Sequence, residues 1–72
     1  MDTNANNMNK IIELVEKVNN GDGTQSLIAE CNGYENGVIV AQFSRSPFTF
    51  SEDLSDADII DFLWQNEYNH YL

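Results

Sequence analysis

The chain has little of several residue types: one cysteine, one proline, one histidine and three cationic side chains among 72 residues. The single cysteine, Cys31, excludes an internal disulfide, and Cys31 with His70 provides too few ligands for a structural zinc site. We therefore predict one small domain over residues 1–72, with residues 1–6 flexible and no covalent or metal stabilisation. Its length lies near the lower limit for independent folding. The lack of a disulfide or a structural metal favours a reducing compartment or stabilisation by a partner.

Long apolar runs are also missing. Residues 1–7 contain neither the basic segment nor the apolar segment of a signal peptide. No run approaches the roughly 20 apolar residues of a membrane span. We therefore expect no membrane association and a cytoplasmic location.

Positive charge is scarce, since twelve acidic residues face three basic ones and give a net charge of −9. Coulomb repulsion then disfavours direct binding to nucleic acid or to an anionic membrane. Basic proteins are the favoured partners, and these include proteins that bind nucleic acid. The alternative is that the acidity only keeps the chain soluble. The hydrophobic fraction of 42% argues against disorder.

The first half of the chain shows a helical spacing followed by a turn. Apolar residues at 8, 11, 12, 15 and 18 predict an N-terminal helix that ends at Asn20-Gly21. Glu13 and Lys17 are spaced as a favourable helical pair. The segment from Asn20 to Thr24 fails as a calcium loop, because Gln25 and Cys31 stand where glycine and the bidentate glutamate are required. We expect a turn there and no metal.

Two β-rich runs follow, at residues 24–32 and 37–44. Each of the two Asn-Gly pairs between them is a hairpin signal. A tight turn at Asn32-Gly33 would pair Cys31 with Tyr34, whereas a loop over 32–37 would pair Cys31 with Val38. The loop is favoured because it pairs the two apolar runs. Residues 48–50 then form a short third strand or an extended crossover.

The last segment predicts a C-terminal helix. Ser55 and Asp58 resemble a capping box, and a helical wheel gathers one apolar inner face: Ile59, Ile60, Leu63, Trp64 and Tyr71. The predicted fold class is therefore α+β, with an N-terminal helix, an antiparallel hairpin, a short third strand and a C-terminal helix.

Five carboxylates lie between residues 52 and 61, and no lysine or arginine follows Arg45. The helix dipole accounts for Asp56 and Asp58 in the first turn. Phe62 lies on the polar face, either as an interface anchor or folded under the preceding loop. Along a notional helix axis the carboxylates fall about 3 Å apart, close to the ~3.4 Å phosphate spacing of a nucleic-acid strand. The predicted partner-binding residues are Glu52, Asp53, Asp56, Asp58, Asp61, Phe62 and Gln65.

Catalysis has little support in the sequence. His70 lies two residues from the last residue, and Cys31 is expected in the core, so a nucleophilic pair of the two is disfavoured. Phosphate-binding glycine patterns and metal-ligand clusters are absent from the sequence. We predict a protein that is not an enzyme and binds no cofactor.

The predicted layout resembles the small acidic inhibitors that phages encode against host defence. A helix from Met8, a hairpin through Asn32–Gly37, a third strand at Phe48–Phe50 and an acidic helix from Asp56 are similar in order to one α-β-β-β-α anti-CRISPR type. That type blocks the DNA-binding groove of an RNA-guided nuclease. The resemblance lies in layout and charge, and no functional residue is carried over. It implies a DNA mimic of the anti-CRISPR or anti-restriction type, acting in the host cell cytoplasm on an RNA-guided nuclease or a restriction enzyme.

Two functions are therefore predicted. The first is an inhibitor that occupies a basic, nucleic-acid-binding surface of a partner protein. The second is an interaction or assembly module that acts as a homodimer through its exposed sheet face or edge, with the acidity serving solubility only.

Overall fold

A computed structural model describes residues 8–66. Three antiparallel strands form one sheet in the order β1-β2-β3, and a single helix follows them. The elements are β1 (Asn9–Asn19), β2 (Thr24–Glu35), β3 (Val38–Ser51) and α1 (Asp56–Asn66). The hairpin and the C-terminal helix are present as predicted. The overall order of elements is β-β-β-α, and the predicted layout with a helix at each end is wrong.

The predicted N-terminal helix is the strand β1. Its apolar residues are mainly β-branched, a type that favours strands because its χ1 rotation is restricted. Ile12 pairs with Cys31 and is buried, whereas Ile11 pairs with Asn32 and is 42% exposed. Apolar residues therefore occupy both faces of β1, and this hides the alternation of a strand. Glu13 and Lys17 do not pair with each other but with groups on other elements.

A β-bulge in β1 explains the remaining helical spacing. Val15 pairs with Ile28 and Val18 with Ser26, so β1 has one residue more than β2 between these pairs. The extra residue brings two side chains three positions apart to the same face of the sheet. Glu16 takes the left-handed conformation at the bulge, with φ at 52°. The bulge thus produces within a strand the spacing that is typical of a helix.

The hairpin turn lies at Asn36-Gly37, and both predicted registers are wrong. Glu35 pairs with Val38, while Cys31 pairs with Ser44. Asn36 and Gly37 have φ values of 54° and 79°, as a two-residue turn of the primed type requires. Gly33 lies inside β2 instead, where a Cβ atom would come 2.5 Å from the Met8 sulfur. The absence of a side chain at Gly33 therefore leaves the space that Met8 occupies.

The predicted second and third strands are one strand. β3 runs without interruption from Val38 to Ser51 and includes Pro47, which an edge strand accommodates because one side of its backbone is unpaired. Phe43 and Val40 are extra residues relative to β2, at two further irregularities of the pairing. Because such bulges twist a strand, they limit the pairing of this edge with another chain.

The core lies between one face of the sheet and α1. Ile59 and Leu63 of the helix are fully buried against the sheet, with Ile60 and Trp64 packed beside them. This confirms the predicted inner face, except for Tyr71, which lies outside the described residues, as do residues 1–6. The sheet contributes the other buried apolar side chains: Ile12, Leu27, Ala29 and Cys31. Burial raises the pKa of the Cys31 thiol, and His70 lies beyond the described range.

No helix in the stretch from residue 8 to residue 66 is long and apolar enough to cross a membrane.

The opposite face of the sheet carries a polar network across all three strands. Arg45 on β3 donates to Glu30 on β2 at 2.8 Å and to Glu16 on β1 at 2.6 Å. The bulge presents Glu16 to the guanidinium, since a bulge redirects the side chains beside it. The hydroxyl of Tyr34 donates to Glu13 on the same face, and this bond raises the pKa of Tyr34. Arg45 thus joins the two edge strands through the central one.

Acidification should weaken this network. Hydrogen bonds from Arg45, and secondly from Asn32, hold the pKa of Glu30 below its usual range. A group with a depressed folded pKa contributes stability above its unfolded pKa, about 4.3 for glutamate, and that contribution is lost as the pH falls through the folded value. We expect the denaturation midpoint of the wild type to fall more steeply below about pH 4.3 than that of Arg45→Gln. Parallel pH profiles for the two proteins would contradict this.

Candidate interaction surface

Two adjacent turns support the start of α1. The backbone nitrogen of Glu52, just after β3, donates to the Gly23 carbonyl in the β1–β2 turn at 3.0 Å. The side-chain amide of Gln25 donates to the carbonyls of Ser51 and Leu54 at 2.9 and 3.1 Å. These bonds satisfy backbone groups that a turn would otherwise leave to water. The start of the helix is therefore held in a fixed position at one end of the sheet.

The predicted capping box is confirmed. The Asp58 backbone nitrogen donates to Ser55 Oγ at 3.2 Å, and the Ser55 nitrogen donates to Asp58 Oδ2 at 3.3 Å. Both partners satisfy amide groups that have no acceptor inside the helix. Asp58 therefore stabilises the start of α1, and it is also exposed to solvent.

Loss of the cap should be measurable. We expect Ser55→Ala to lower the free energy of unfolding by about 0.5–2 kcal/mol, because one helix amide loses its acceptor. Urea denaturation measures the change, and Ser46→Ala, a serine in β3 outside the cap, is the control. Equal effects of the two substitutions would contradict the assigned cap.

The predicted acidic residues lie on the turn after β3 and on the first two turns of α1, and we call these five carboxylates the acidic surface. Asp53 and Asp61 are the members with the fewest structural ties: the Asp53 backbone nitrogen donates to Ser51 Oγ, and Asp61 accepts a 3.0 Å bond from Gln65. All members are exposed: Glu52, Asp53, Asp56, Asp58 and Asp61.

Two acids of the surface have partners that sequence reasoning did not identify. Lys17 pairs with Asp56 at 2.6 Å, and Asn19 donates to Glu52 at 3.2 Å. Lys17 lies in the bulged part of β1 and Asn19 is its last residue, and the helix predicted there would have placed Lys17 elsewhere. The ion pair is exposed on both sides, so solvent screening leaves it little net energy. Asp56 can therefore exchange Lys17 for a cation of a partner at small cost.

Phe62 packs against a segment that was predicted as a loop or short strand and that the structure shows as the end of β3. Its ring makes an edge contact with Phe50 of β3, with centroids 5.7 Å apart and an interplanar angle of 82°. Even so, 48% of Phe62 remains exposed. Such an edge-to-face pair is a favourable aromatic geometry. One side of the ring is therefore fixed on the sheet while the rest is available beside Asp58 and Asp61.

Asp22 is an acidic neighbour that the sequence prediction did not include. It lies in the β1–β2 turn, whose Gly23 carbonyl accepts the bond from Glu52. Its carboxylate accepts bonds from the Thr24 hydroxyl and backbone nitrogen at 2.5 and 3.0 Å, and these lower the pKa of Asp22. The carboxylate closes its own turn and adds negative charge beside the acidic surface. The sequence does not show that the β1–β2 turn lies next to the turn after β3, so it could not indicate that Asp22 lies beside the acidic surface.

The cations of residues 8–66 lie largely away from this surface. Lys10 stands 5.0 Å from the centroid of the Phe43 ring, and Arg45 pairs with Glu16 and Glu30 on the open face of the sheet. Among the described cations, Lys17 alone pairs with a carboxylate of the acidic surface. The surface therefore keeps a strong negative potential.

Three exposed aliphatic residues lie at the hairpin end of β3. Val38, Ile39 and Val40 are consecutive and are 62%, 50% and 51% exposed. They follow the Asn36-Gly37 turn, at the opposite end of the strand from Ser51 and the acidic surface. At about 3.3 Å per residue, the strand separates the two features by roughly 40 Å.

Comparisons with protein-family models, with curated proteins and with solved structures give no match to this chain. The α-β-β-β-α layout behind the predicted resemblance is also not the layout of the structure.

Proposed function

We propose that the protein is a small acidic inhibitor that occupies a basic, nucleic-acid-binding surface of a partner protein. The observation that carries the proposal is the acidic surface, where the turn after β3 and the first two turns of α1 present five exposed carboxylates, with the half-exposed Phe62 on the same helix. Complementary charge speeds association and selects basic partners. A nuclease or another enzyme that holds DNA in a basic groove is the partner class that fits this surface best.

The arrangement suits binding because the carboxylates are carried by a supported element. The capping box and the bonds from Gln25 fix the start of α1, so a partner would not have to order this segment. A preformed surface binds with a smaller entropy cost than a disordered acidic tail. The half-exposed Phe62 adds apolar contact, and aromatic residues typically contribute much of the binding energy of an interface.

Capture from a bacterial lysate tests the proposal. The immobilised protein is incubated with lysate at low and at high salt, and the bound proteins are identified by mass spectrometry. We expect basic nucleic-acid-binding proteins at low salt and their loss at high salt, because salt screens exposed charges. Captured proteins that are not basic, or that bind equally at both salt concentrations, would contradict the proposal.

A second candidate function is a homodimeric assembly module, favoured by the exposed Val38, Ile39 and Val40. Exposed aliphatic residues that lie close together are typical of contact sites. These three lie far from the acidic surface, so two copies could meet there with little charge repulsion. Analytical ultracentrifugation separates the candidates, since a dimer that persists at high salt and is lost in Ile39→Asp supports the module, whereas a monomer excludes it.

A further inference from the structure

Three Asn-Gly pairs occur in the chain, at residues 20, 32 and 36, and the structure places them in different surroundings. Such a pair can deamidate spontaneously, because glycine leaves the backbone nitrogen after the asparagine open to approach. The rate then depends on whether the side-chain amide and the following nitrogen are free to meet. The three pairs differ in this respect.

Asn20 and Asn32 are restrained. Asn20 donates to Thr24 Oγ1 at 3.0 Å and to Ser26 Oγ at 2.9 Å, and the nitrogen of Gly21 donates to Asn19 Oδ1 at 2.8 Å. Asn32 is fully buried in the central strand, donates to Glu30 and accepts from Gln42. Reaction at either position therefore needs local opening of the structure.

Asn36 lies in the hairpin turn, and both it and Gly37 are exposed. A Cβ atom added to Gly37 would meet nothing within 4 Å, so the space around this residue is open. Within residues 8–66, the Asn36 side chain makes no hydrogen bond. The turn has only two residues, Asn36 and Gly37.

We propose that Asn36 is a site of spontaneous deamidation, distinct from the acidic surface. The Gly37 nitrogen attacks Asn36 Cγ and loses its proton, the bond from Cγ to the side-chain nitrogen breaks, and ammonia leaves. Water then opens the cyclic imide at either of its two carbonyls, which gives aspartate or isoaspartate. The product carries a new carboxylate next to Val38, Ile39 and Val40. Isoaspartate also adds one atom to the main chain of the turn.

Deamidation in the folded and the unfolded protein tests the proposal. The wild type is incubated at mildly alkaline pH with and without denaturing urea, and peptide mass mapping follows the three positions separately. In the folded protein we expect Asn36 to react at least about tenfold faster than Asn20 and Asn32, because those two must await local opening. In urea the three rates should converge.

A reaction at Asn20 or Asn32 as fast as that at Asn36 in the folded protein would overturn the proposal. The proposal would also be overturned if folding slowed the deamidation of Asn36 as much as it slows that of Asn32. Asn36→Asp separates the two consequences of the reaction, since it adds the charge and keeps the ordinary main chain. Asp-Gly is also a common primed turn, so this variant should keep the wild-type hairpin register by NMR. A changed register in Asn36→Asp would contradict the assigned turn.

Discussion

Replacing Leu63 by alanine is expected to unfold a large fraction of the protein. Leu63 is fully buried between α1 and the sheet. Large-to-small substitutions of buried leucine cost about 2–5 kcal/mol, from lost transfer energy and from the cavity that remains. A core of this size supplies only about 3–5 kcal/mol of net stability, so the loss is comparable with the total. Urea denaturation followed by circular dichroism measures the change.

Phe62→Ala is the matched control, because it truncates the adjacent residue of the same helix. Phe62 is larger than Leu63 but is 48% exposed and contacts the sheet through Phe50. We expect it to cost about 1 kcal/mol, the scale of an aromatic edge contact. A larger loss for Phe62→Ala than for Leu63→Ala would mean that α1 presents a different face to the sheet.

Reversing two charges of the acidic surface should abolish most binding without unfolding the protein. Asp53 and Asp61 are the best positions, because Asp58 caps α1 and Asp56 pairs with Lys17. The Gln65 bond to Asp61 is an exposed helical pair that contributes only about 0.2–0.5 kcal/mol. We expect Asp53→Lys with Asp61→Lys to weaken binding to the captured partner by well over about tenfold. Titration by fluorescence anisotropy measures it.

The control for this pair reverses two charges elsewhere. Glu13→Lys with Glu35→Lys changes the net charge by the same amount, at residues of β1 and β2 outside the acidic surface. Because Glu13 accepts a bond from Tyr34, circular dichroism must first show that this variant is folded. We expect this variant to bind within about threefold of the wild type, since screened charges act mainly within a Debye length. Equal losses in the two double variants would show that total charge, and not the acidic surface, determines binding.

The C-terminal helix could be predicted from the sequence because its signals agree. Ser55 and Asp58 form the cap, and Ile59 and Leu63 define the buried face. Local pattern and tertiary packing point to the same structure in this segment. Because the buried face of the helix could be predicted, the exposure of the acidic residues on the helix could be predicted as well.

The first strand could not be recognised because its pattern is the product of tertiary pairing. The bulge at Glu16 places Val15 and Val18, three positions apart, on the same face of the sheet. Apolar residues on both faces of β1 also remove the alternation of apolar and polar residues that is typical of a strand. A single sequence contains no record of the pairing that stabilises the bulge. The same holds for the ion pairs of Arg45, which join residues far apart in the chain.

The register of the hairpin could not be predicted for a different reason. Asn32-Gly33 and Asn36-Gly37 give the same local signal, but the turn lies at the second pair, and Gly33 packs against Met8 inside β2. Local turn chemistry cannot decide between two identical dipeptides. The apolar runs also pair with an offset, because β3 has two more residues than the matching part of β2.

Competition with DNA tests the proposed function most directly. A captured nucleic-acid-binding partner is first bound to a fluorescent DNA duplex, and the protein is then added in increasing amounts at low salt. If the acidic surface occupies the nucleic-acid site, the protein displaces the DNA completely, and the Asp53→Lys, Asp61→Lys variant does not. A ternary complex, in which DNA stays bound while the protein saturates the partner, would contradict the proposed function.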